Sequence, residues 1–91
     1  MRWEFQQLTA VQLAAAIAPQ VPLGSQHAIM QANGGTVRAR WDGIDPSATV
    51  GLELQDGGDW LQVDALILSK ARFISGGGAP TLDMHFLITE P

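Results

Sequence analysis

The chain has 91 residues, 46% of them apolar and 15% charged, with ten glycines, five prolines and no cysteine. That size describes one folded domain over residues 1–91 with a thin core, and the missing cysteines exclude a disulfide framework, a thiolate metal site and thiol catalysis. Nine Asp and Glu against five Lys and Arg leave a net charge of −4, which opposes sequence-blind attraction to nucleic acid or anionic lipid and points to protein or neutral partners. No apolar run reaches the ~20 residues of a membrane helix, and Glu4 falls where a signal peptide would be basic or apolar, so the expectation is a soluble product made in the cytoplasm. A thin core also predicts that neighbouring subunits contribute stability.

From the N-terminus, Arg2 to Leu8 alternates with Trp3 and Phe5 on one face, which predicts a first strand, with residues 1–8 as an arm or sheet edge. Thr9 to Ala18 has two readings. Thr9 as a helix cap, Ala14-Ala15-Ala16 and the following Pro19 specify a short helix, whereas Val11, Leu13, Ala15 and Ile17 alternate as in a strand. Residues 27–41 read as two strands around Asn33-Gly34, whose residue types suit a tight primed turn. A two-residue loop there pairs Met30 with Val37 and Ala28 with Ala39, places these four and Trp41 on one face, and sets Gln31 beside Thr36 and His27 near Arg40.

Turn signals recur at Asp42-Gly43, Asp45-Pro46, Asp56-Gly57-Gly58 and Gly76-Gly77-Gly78, the last expected as a flexible hairpin loop ahead of Pro80. Between them lie extended stretches at 50–54, 60–63 and 66–74. At the C-terminal end, Leu82, Met84, Phe86 and Ile88 alternate with Asp83, His85, Leu87 and Thr89, the pattern of a strand with one buried face. The fold expected is all-β, a small antiparallel β-sandwich or jelly-roll-like barrel of about seven or eight short strands.

Few residues carry chemistry. His27 and His85 fall on separate strands outside any catalytic arrangement and read as solvent-facing. No serine sits in a strand-turn-helix elbow. Asp42, Asp45, Asp56, Asp59 and Asp64 offer oxygens, yet none of their windows has the order of a calcium loop, and Asx turns account for each of them. The triple glycine lacks the Lys-Ser or Lys-Thr ending of a phosphate loop. No catalytic residue, metal site or cofactor is expected. Trp3, Trp41 and Trp60 suit either a sugar-stacking platform or, more commonly in so small a domain, core and interface positions. Arg38 and Arg40 flank Ala39 and project from one side of their strand, where they suit a carboxylate on a neighbouring subunit.

Residues 28–54 resemble small β-rich virion proteins of tailed bacteriophages. The resemblance rests on Ala28-Ile29-Met30-Gln31-Ala32, on Val37-Arg38-Ala39-Arg40-Trp41-Asp42-Gly43, and on Asp45-Pro46-Ser47-Ala48-Thr49-Val50-Gly51 with Leu54 following. Arg72-Phe73-Ile74 and Leu82 fit the same scheme, so that about two thirds of the chain is covered. Trp41 departs from a position usually polar, and Ala39 from one often aromatic. The resemblance favours an extended conformation for Leu13 to Ile17, and it implies a structural role in a virion without catalysis.

Joined to the thin core and acidic surface, it leads to the expectation of a capsid cement or decoration protein on the capsid exterior. Such a protein binds the major capsid protein or another virion protein and forms a homo-oligomer, with a trimer favoured. Trp3, Arg38, Arg40 and Trp41 are the expected interface residues. The alternative expectation is a head–tail connector, a baseplate component or a fibre-like module binding host surface glycan.

Overall fold

The computed structural model describes residues 1–89. These residues form five strands, β1 (Arg2–Leu8), β2 (Ser25–Arg40), β3 (Leu52–Leu54), β4 (Leu61–Asp64) and β5 (Arg72–Ile88), with a 3₁₀ turn at Gln12–Ala14 and one helical turn, α1 (Ala65–Leu68). All strand pairs are antiparallel and belong to one sheet in the order β1-β5-β2-β3, with β4 also on β2. The fold is all-β and antiparallel, as the alternating patterns require.

Two of the strands are much longer than expected. β2 has 16 residues and β5 has 17, and they pair along their whole lengths, from Ser25 opposite Ile88 to Arg40 opposite Arg72. A straight strand of that length spans roughly 50–55 Å, yet the longest extent of the molecule is 40 Å. The ribbon therefore bends. The bend lies where the register shifts twice, between Asn33 and Gly35 and between Thr36 and Val37, opposite residues 75–81. Bulges of this kind kink a strand and increase its twist.

The Asn33-Gly34 hairpin does not form. A type I′ turn needs φ > 0 at both central residues and a type II′ turn at the first. Here Gly34 has it, at +84°, but Asn33 does not, since among the described residues no residue other than glycine has a positive φ. Met30 pairs with Met84, Ala28 with Phe86, Val37 with Ser75 and Ala39 with Phe73, and neither the Gln31–Thr36 nor the His27–Arg40 juxtaposition occurs in the register. Gly76-Gly77-Gly78 likewise lies inside β5 and not in a hairpin loop. Both glycine clusters serve as corners, because β2 and β5 approach there too closely for side chains. A Cβ at Gly78 would stand 3.1 Å from the Gly34 carbonyl oxygen.

The corner also resets which residues point inward. In β2 the buried positions are Ala28, Met30 and Ala32 before it and Val37 and Ala39 after it. In β5 they are Phe73 before it and Pro80, Leu82, Met84, Phe86 and Ile88 from the corner onward. The alternation slips by one residue, and both halves of the ribbon then face a single core that also holds Leu8, Leu13, Val63, Leu68 and Ala71. β1 and β4 flank one half of the ribbon and β3 flanks the other. The described residues form five strands in one sheet where about seven or eight short strands were expected, because two expected turns are corners inside β2 and β5.

Thr9 to Ala18 follows neither expectation throughout. Thr9 and Gln12 make a reciprocal capping pair, the Thr9 N–H donating to Gln12 Oε1 at 2.8 Å and the Gln12 N–H to Thr9 Oγ1 at 3.4 Å. Only three residues of 3₁₀ turn follow before Ala15 becomes extended at φ −132°, ψ 159°. The expected strand over Leu13 to Ile17 reduces to a bridge between Ile17 and Phe73. Leu13 sits fully buried beneath the sheet, so packing decides this segment over propensity. The expected strand at 66–74 is also corrected: Ala65–Leu68 turns helically with Leu68 in the core, and the strand begins at Arg72.

Candidate binding surfaces

Residues directly opposed in an antiparallel pair share a face. Across the half of the sheet that holds β1 and β4, this collects Trp3, Leu87 and His27 in one row, and Phe5, His85 and Ile29 in the next. Gln7, Asp83 and Gln31 follow. These residues form the outer face, opposite the core. Trp3 is 52% exposed and Phe5 55% exposed, large values for aromatic side chains on a sheet. Trp3 meets the His27 ring edge-on with centroids 5.9 Å apart, and Phe5 meets the His85 ring, tilted, at 5.0 Å.

Asp83 ties this face together. Gln7 Nε2 donates to Asp83 Oδ1 at 2.8 Å and Asn33 Nδ2 donates to Oδ2 at 3.1 Å, linking β1, β5 and β2. Below the corner, Gln31 Nε2 donates to the Gly58 carbonyl at 2.7 Å. The Gly57 N–H donates to the Ala32 carbonyl at 2.8 Å, and Asp56 Oδ1 accepts from the Gly34 N–H at 2.8 Å. The turn at 56–58 is thus pinned to β2, and it delivers Trp60 to the outer face just ahead of β4. Phe5, Ile29, Gln31, Trp60, Asp83 and His85 line a shallow cleft of about 240 Å³ there.

A larger apolar groove of about 550 Å³ runs along the far edge, between Trp41, Leu52, Leu61, Val63 and Ile67, with Asp64 on its rim. β3 and β4 both hydrogen-bond to β2 on this side, and β1 forms the opposite edge of the sheet. Leu52, Leu66 and Ile67 are exposed beside the groove. Paired open edges flanked by apolar side chains are the feature that soluble monomers ordinarily suppress.

The four residues expected at an interface are not brought to one place. Trp3 lies on the outer face of β1, whereas Trp41, Arg38 and Arg40 lie at the far end of β2. Trp41 is half-buried and packs edge-on against Phe73, centroids 5.7 Å apart. Arg38 Nη2 pairs with Glu53 at 3.0 Å and its Nη1 donates to the Gly51 carbonyl at 3.0 Å, while its buried Nε has no partner. Arg40 grips Asp42 with two hydrogen bonds, of 3.1 and 2.6 Å. The Arg40 guanidinium holds the Asp42 carboxyl below the usual range, with partial desolvation opposing and the Ile44 N–H adding a smaller pull the same way. Both arginines therefore brace the loops after β2 as well as facing outward.

The turn chemistry expected of every Asp holds only in part. Asp42 accepts from the Ile44 N–H two residues on, as an Asx turn does, whereas Asp56 accepts from the Gly34 N–H 22 residues away and Asp64 makes no side-chain cap to the turn that follows it. Among the described residues no three His, Asp or Glu converge. Ile29, Leu52 and Ile67 carry no local functional signal, and Phe5 and His85, legible as strand positions, gain their neighbours from strands distant in sequence. No protein-family model matches the chain, and no curated protein or solved structure matches it either.

Proposed function

We propose that the protein is a non-catalytic assembly subunit of a bacteriophage virion, a capsid decoration protein that binds the major capsid protein shell and associates with its own copies as a trimer. The observation that carries this reading is the pair of open sheet edges at opposite sides of the molecule, each flanked by exposed apolar side chains: Trp3 and Phe5 beside β1, and Leu52 and Ile67 beside β3 and β4. An edge strand offers a row of backbone donors and acceptors to a partner chain, and a head-to-tail edge contact closes into a ring when its rotation allows. The likeness of residues 28–54 to phage virion proteins supplies the particle. Weak contacts made by several linked copies sum to firm attachment on a repeating shell.

Native mass spectrometry of the isolated protein tests the association, with a trimer expected and a monomer at every concentration overturning it. Cryo-electron microscopy of particles assembled with and without the protein tests the location. Density on the shell supports the reading, and density confined to the tail or baseplate replaces it with the connector or baseplate alternative.

A further inference from the structure

We propose that the outer-face cleft between Phe5 and Trp60 is a binding site for one ring of a neutral saccharide, a role independent of where the protein sits in a particle. Its walls are two aromatic side chains, Phe5 and Trp60, more than half exposed at 55% and 59%. Water contact over so much ring surface is unfavourable and is relieved by an apolar ligand face. Its floor is polar. His85 and Gln31 present hydrogen-bonding groups, and Asp83 presents a carboxylate. The C–H face of a pyranose stacks on an aromatic ring while its hydroxyls both donate and accept, and this mixture of walls and floor matches that pattern.

The site is held in shape before any ligand arrives. Gln31 Nε2 is committed to the Gly58 carbonyl at 2.7 Å, which leaves its Oε1 as an acceptor and anchors the segment that carries Trp60. Asp83 is fixed from both sides by Gln7 and Asn33, and Phe5 rests against the His85 ring at 5.0 Å. Such anchoring lowers the ordering cost of binding. The volume of about 240 Å³ falls below the roughly 300–1,000 Å³ of sites for drug-sized ligands, so a single ring occupies it with the remaining chain crossing the open sheet face.

Charge narrows the ligand further. None of the lysines or arginines lines the cleft, so a phosphate, sulfate or uronate would meet Asp83 and a net charge of −4 without a compensating cation. A cationic ligand is the competing possibility, since aromatic faces and a carboxylate also attract ammonium groups. The side chains disfavour it: two walls on one open floor do not enclose a charge.

The test is a titration of the intact protein with maltohexaose, cellohexaose and mannohexaose, followed by the Trp60 indole resonance and tryptophan fluorescence. Heparin and choline serve as the anionic and cationic arms. The expected result is a saturable shift of the Trp60 indole with at least one neutral hexaose. Affinity should weaken about tenfold or more in both W60A and F5A, the loss of one stacking contact, and stay unchanged in L23A, an exposed position away from the cleft. Circular dichroism establishes that each variant is folded. No response to any of the three hexaoses at about 10 mM, well above a weak ~1 mM dissociation constant, overturns the proposal. So does tighter binding of heparin or choline, or a response that survives in W60A.

Discussion

No Cβ fits between Gly35 of β2 and the carbonyl oxygen of Gly77 on β5, and the same volume is bounded by Pro80 Cδ, 3.1 Å from where a Cβ would stand. The obstacle is backbone on one side and a rigid ring on the other, so neither can swing away. G35A should therefore force the two strands apart and cost about 3 kcal/mol. Gly43 makes the contrast, with φ +80° and open space around its Cα, so that G43A should cost only about 1–2 kcal/mol of backbone strain. Urea denaturation of the two variants checks the ordering, and equal losses would refute the close crossing.

Asp56 supports the same corner from outside the ribbon. Its carboxylate accepts the Gly34 N–H at 2.8 Å, a donor left over where the β2–β5 register shifts. D56A should cost about 1 kcal/mol and accelerate hydrogen exchange at the Gly34 amide, while D56N, which keeps an acceptor oxygen, should retain most of the protection. An unchanged exchange rate in D56A would show that Gly34 is satisfied elsewhere.

Asp83 holds β1 to the rest of the sheet through Gln7 and reaches β2 through Asn33. D83A should destabilise the protein by about 1–2 kcal/mol, with the largest gain in amide exchange along β1. D83N should fall between D83A and the parent, since its single carbonyl oxygen can serve only one of the two donors well. A loss spread evenly over all strands would contradict the placement of this bridge.

The Arg40–Asp42 pair makes a small pH-dependent contribution of known sign. Asp42 has its pKa lowered, first by the hydrogen bond from Arg40, so its stabilisation is fully present above the ordinary aspartate value of about 3.9 and is lost as pH falls through the lower folded value. Arg40 has its pKa raised by the same hydrogen bond and stays charged throughout that range. The pair is solvent-exposed, so its effect is modest and screened by salt. Melting temperatures of the parent and D42N should differ above about pH 4, converge in stronger acid, and draw together in high salt.

Much of the fold is legible in local pattern. The inward residues of β5 from Leu82 to Ile88 follow from simple alternation, and β1 is legible as a strand in the same way, although its apolar residues Trp3 and Phe5 face outward. The corner residues were opaque for a physical reason. Asn33-Gly34 carries the chemistry of a tight turn, and only the presence of β5 as a partner of matching length lets the strand continue through it as a bent corner. The triple glycine misleads in the same way, since a flexible loop and a close strand crossing ask for the same residue type. The outer cleft was partly readable, in that Trp60 stood out as an aromatic. Its joining to Phe5 and His85 depends on the order β1-β5-β2, which no local signal reveals.

The full-length pairing of β2 with β5 also governs how the chain reaches its folded state. Every ladder contact between them spans at least the segment from Arg40 to Arg72, and the contact of Ser25 with Ile88 spans most of the molecule. β1 adds only to β5, the last strand made. Closing such separations carries its entropic cost before most native contacts can compensate. Folding should therefore be slow for a domain of this size, in the millisecond-to-second range of non-local β topologies, and the unpaired halves of the ribbon would remain open to association with other chains during that interval.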